Sequence, residues 1–139
     1  MSPSHHHRHG SILVGRIFVA VACLLVLGAN LMICKAATSP QFPVPAYVKA
    51  RLLAGLVWLF AGALAMCMRR GWGRYMALFF VYVETFDFFL SGIVAFNSAE
   101  IVPPGMIKAY FIGTAVYLYV ALVLTHSKHV QRLTSRAYE

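Results

Sequence analysis

Long apolar runs alternate with short polar breaks along the chain, and the runs exceed what a soluble core would ask of a helix or strand. They cover 17–34, 52–68, 75–96 and 106–125, and the breaks between them concentrate arginine, lysine, proline and glycine. A helix needs about 20 mostly apolar residues to cross a hydrocarbon layer roughly 30 Å thick. The pattern therefore predicts four transmembrane helices, over about 12–35, 52–68, 75–96 and 106–125.

The breaks predict how those helices connect. Pro40, Pro43 and Pro45 make 35–51 an extended connector, and Pro103, Pro104 and Gly105 mark a second break after the third run. The link over 69–74, with Gly71 and Gly73, is so short that the second and third helices must be antiparallel neighbours. Small residues add packing faces: Gly15, Ala22 and Ala29 recur every seven residues, and the second run carries Ala54, Gly55, Ala61, Gly62 and Ala65. The expected fold is an all-α integral membrane protein, a single domain of four helices in an antiparallel up-down bundle. A flexible histidine-rich tail over 1–10 and a basic tail over 126–139 flank it.

Composition agrees with that class. Of 139 residues, 60% are hydrophobic and only 12% charged, well away from the usual balance of soluble domains. A net charge of +8 raises nucleic acid as a partner, but the cations sit at the ends of apolar runs rather than on a soluble face. They read as topology signals, and no nucleic acid is expected. Eight lie on the side of the two termini and four on the other, which predicts both termini in the cytoplasm of a bacterial-type inner membrane. Arg69, Arg70, Arg74, Lys128, Arg132 and Arg136 are the residues expected at lipid headgroups.

Two carboxyl groups break the apolar pattern. Glu84 and Asp87, two of only four acidic residues, stand near the middle of the third run. An ionised carboxylate there costs a few kcal/mol and needs partners or a proton. At a rise of about 1.5 Å per residue, Asn30, Trp58, Thr114 and Tyr117 fall at a similar depth, and no lysine or arginine is expected at that level. Ser91 shares the acids' helix face at the next turn. Together Glu84, Asp87, Asn30, Trp58, Ser91, Thr114 and Tyr117 form the expected intramembrane polar layer. Phe79, Phe86 and Ile93 repeat on the opposite face, suited to lipid.

Catalytic chemistry finds little support. Cys23, Cys34 and Cys67 form no CxxC pair, and no span contains a histidine, which excludes a bis-imidazole haem inside the helices. No catalytic residue, metal or cofactor is expected. The leading expectation is an accessory or structural subunit of a larger membrane complex, of respiratory or photosynthetic kind, whose partners are the bilayer and other membrane subunits or further copies of itself. The alternative is a small oligomeric proton- or cation-coupled transporter using Glu84 and Asp87. Third comes a membrane enzyme acting on a lipid-soluble substrate.

Overall fold

A computed structural model describes residues 4–37 and 46–135, and over them the regular secondary structure is all α-helix, joined by short turns. Five helices follow in order: α1 Ser4–Ala37, α2 Ala46–Cys67, α3 Gly71–Asn97, α4 Pro104–His126 and α5 Lys128–Thr134. Three carry apolar segments long enough to cross a membrane, over Gly10–Ala36, Gly71–Asn97 and Pro104–His126, while the apolar part of α2, Leu52–Cys67, is shorter.

The helices outrun the apolar runs that predict them. α1 takes in the histidine-rich segment from Ser4, and α2 starts at Ala46, inside the expected connector. Pro40, Pro43 and Pro45 lie outside the described residues. α3 begins at Gly71 rather than after Arg74, which shortens the expected turn. Pro104 opens α4 at a first-turn position, where its fixed φ suits the helix and no amide bond is lost.

Side-chain size sets how the helices meet. α3 packs on α2 and α4, and α1 packs on α4, α5 and, less extensively, α2. Where α2 and α3 touch, a Cβ added at Gly62 would stand 2.9 Å from the Gly73 carbonyl oxygen, so the two backbones meet directly. Seven residues along each helix, Gly55 accommodates the ring of Phe80. Of the α2 face expected from its small residues, Gly62 and Ala65 turn inward, whereas Ala54 and Ala61 turn outward. Gly15, Ala22 and Ala29 are all buried.

The stretch expected as a basic tail contains a helix. Ser127 caps α5 by accepting from the Val130 amide, and Val130 and Leu133 are fully buried. α5 lies on α1, since a Cβ at Gly15 would stand 2.7 Å from the His129 carbonyl oxygen. Ser11 Oγ and His129 Nδ1, 3.0 Å apart, share a hydrogen bond, and Phe18 stacks on the same imidazole. The outward surface is apolar and aromatic: Phe79 and Phe86 are 67% and 65% exposed, and Ile93, Leu24 and Leu64 are exposed with them.

Candidate functional site: a polar layer inside the helices

The interior of α3 is a stripe of Ala77, Phe80, Val81, Glu84 and Phe88, spaced so that one acid replaces a hydrophobe every other turn would carry. Glu84 is only 4% exposed. Its level follows from its neighbours on the stripe. Phe80 and Phe88, one turn to either side, both meet the Tyr117 ring edge-on, with centroids 6.3 and 5.1 Å away. Glu84 therefore stands at the height of Tyr117, between the two rings that clasp it.

Tyr117 is fully buried and joins α4 to α1. Its hydroxyl accepts a 2.7 Å hydrogen bond from Asn30 Nδ2. Asn30 is 3% exposed, and its Oδ1 has no hydrogen-bond donor among the described residues. Having accepted from the amide, a phenol still has its own proton to give. Ile33, one turn from Asn30, packs against Gly113, one turn from Tyr117, so α1 and α4 stay in register across the pair.

Other residues expected in the layer occupy different places. Asp87 and Ser91 lie half-buried on α3, one and two turns beyond Glu84. Thr114 gives its hydroxyl to the Tyr110 carbonyl of its own helix at 2.8 Å. Trp58 is 46% exposed, and its indole N–H donates to the Met76 carbonyl at 3.1 Å, at the outer seam of α2 and α3. Met76 is two turns, about 12 Å, from Glu84. The misplacement has a simple cause. Depth counted from Arg69 and Arg74 treats the two as level, but α3 already begins at Gly71 and Arg74 lies inside it.

The same register runs on along the pair of helices. Gly62 meets Gly73 and Gly55 meets Phe80, so each step towards the start of α2 matches one step along α3. Continuing by one turn brings the α2 backbone at Arg51 level with Glu84.

Arg74 also departs from its expected place at the headgroups. Its Nε donates to the Leu124 carbonyl at 2.9 Å and its Nη2 to the Thr125 carbonyl at 2.6 Å. These are end carbonyls of α4 that lack helical partners, and a cation suits that end of the helix dipole. Gln131 of α5 donates to the same Thr125 carbonyl. Arg16 makes the matching contact at the other seam, to the Cys67 carbonyl that ends α2. Arg69, Arg70, Lys128 and Arg132 are exposed, and Arg136 lies outside the described residues.

Among the described residues no group of three or more His, Cys, Asp or Glu is placed to hold a metal ion. Compared with known proteins, the chain matches no protein family, no curated protein and no solved structure.

Proposed function

We propose that the chain is a non-catalytic membrane subunit. In this reading all four helices α1 to α4 span the bilayer, up and down, with both termini cytoplasmic, and the molecule works by association within a larger assembly. The observation that carries it is the inward course of the polar layer: Glu84 is buried between the rings that clasp Tyr117, and Tyr117 is bonded to Asn30. The Asn30–Tyr117 bond ties α1 to α4, and Glu84 of α3 is buried at the same level, so polar groups of three helices share one layer of the core. The contacts of Arg16 with the end of α2 and of Arg74 with the end of α4 support the up-and-down order. The aromatic outer face supplies what a membrane partner or lipid would cover.

Native mass measurement after mild extraction tests this. A defined complex with other polypeptides is the expected result. A homo-oligomer, together with proton or cation flux in proteoliposomes that Glu84→Gln abolishes, would replace it with the transport reading.

A further inference from the structure

The link between α2 and α3 carries an uncommon backbone conformation. Arg69 has φ of +61°, and it is the single non-glycine residue with positive φ among those described. It closes α2 in the usual way for such a residue: the Arg69 amide bonds the Met66 carbonyl at 2.9 Å, and the Arg70 amide bonds the Ala65 carbonyl at 2.8 Å. Glycine is the residue that adopts this conformation without steric penalty. Here a long, exposed cation occupies the position instead.

The fold places more cations beside it. A Cβ at Gly71 would stand 3.1 Å from the carbonyl oxygen of Thr134, so the link abuts the end of α5. Arg132, two residues before Thr134, is exposed, as are Arg70 and Lys128. Among the described residues no acid opposes them: Glu84 and Asp87 lie in mid-α3 and Glu100 beyond the far end of that helix. Arg74 is taken up by α4, and of the exposed cations Arg69, Arg70 and Arg132 lie within two residues of the Gly71–Thr134 contact.

From this juxtaposition we infer that the α2–α3 link and α5 together form a binding site for the phosphate of an anionic phospholipid, with Arg69, Arg70 and Arg132 as its cationic side chains. The site lies where the apolar segments of α3 and α4 reach their ends, the level of lipid headgroups. Guanidinium groups suit the ligand because their forked donors match phosphate oxygens. The inference rests on the membrane reading and not on which partner the protein has.

The positive φ supplies a clean test. Arg69→Gly removes the cation while relieving the backbone, so the variant should melt at or above the wild-type temperature in detergent. The protein is reconstituted in phosphatidylcholine nanodiscs containing phosphatidylglycerol, and retained lipid is read by native mass spectrometry. Arg69→Gly and Arg132→Gln are each expected to lower phosphatidylglycerol retention about fivefold, the effect of one cation at an anionic surface. Lys35→Gln, at the opposite end, should leave it unchanged. Undiminished retention in both arginine variants overturns the site, as does an equal loss in Lys35→Gln, which would mean bulk charge alone. Displacement of the lipid by millimolar inorganic phosphate would assign the corner to a free anion instead.

Discussion

Single atoms decide two of the contacts that hold these helices together. At Gly73 an added methyl would stand 2.5 Å from the Ala65 Cβ and 2.6 Å from the Gly62 carbonyl, neither able to swing away. Gly73→Ala is expected to cost about 1–3 kcal/mol as the two backbones are pushed apart. Gly28 faces open space within α1, and Gly28→Ala should be neutral or stabilising by up to about 1 kcal/mol, because alanine is the better helix former. Unfolding in mild detergent separates the two, and equal effects would refute the close approach. At Tyr117 the relevant atom is the hydroxyl. Tyr117→Phe keeps the ring between Phe80 and Phe88 but strips Asn30 of its acceptor, an expected loss of about 1 kcal/mol for a hydrogen bond between helices in a bilayer. Adding Asn30→Leu should cost little more, since the bond is already gone; fully additive losses would deny the coupling.

Helix α5 shows what an apolar count along the chain leaves out. Lys128, Arg132 and Arg136 dominate that stretch, and only Val130 and Leu133 mark an apolar face three residues apart. Ser127 ahead of them is a cap signal, but seven residues do not hold a helix in water unaided. Its order comes from docking on α1, which a local pattern cannot express. Leu133→Ala should therefore raise amide exchange across Lys128–Thr134 while leaving α1 and α4 protected, and uniform loss of protection would show that α5 is not a separate unit. The all-helical class was legible, and of the four expected spans three are helices long and apolar enough to cross a membrane, because a run of that length has one physical reading in lipid. Helix starts were less so, and the start of α3 at Gly71 changed the depth of everything measured from Arg74.

At the scale of the molecule, charge and apolar surface divide the protein into ends and a girdle. Depth along each helix was readable from its anchors well enough to put Asn30 and Tyr117 in one layer, where they are bonded. Facing was harder to read, because a side chain's neighbours depend on which helices flank it: Trp58 points to the outer seam, and Thr114 turns back on its own helix. Charge asymmetry needs no such knowledge. In the proposed up-and-down reading eight Lys and Arg fall on the side of the termini and four on the other, which predicts N-in, C-in insertion, since cationic segments resist translocation. Reporter fusions at the C-terminus should then read cytoplasmic in the wild type. Replacing Arg69, Arg70 and Arg132 together by glutamine narrows the margin to about one cation, a difference too small to fix orientation. These side chains are exposed, so the change leaves the partly buried contacts of Arg74 intact and is expected to alter insertion rather than folding. The triple variant is expected to give a mixed population with a fraction of external C-termini, and a wholly cytoplasmic reading would show that something other than loop charge sets the orientation.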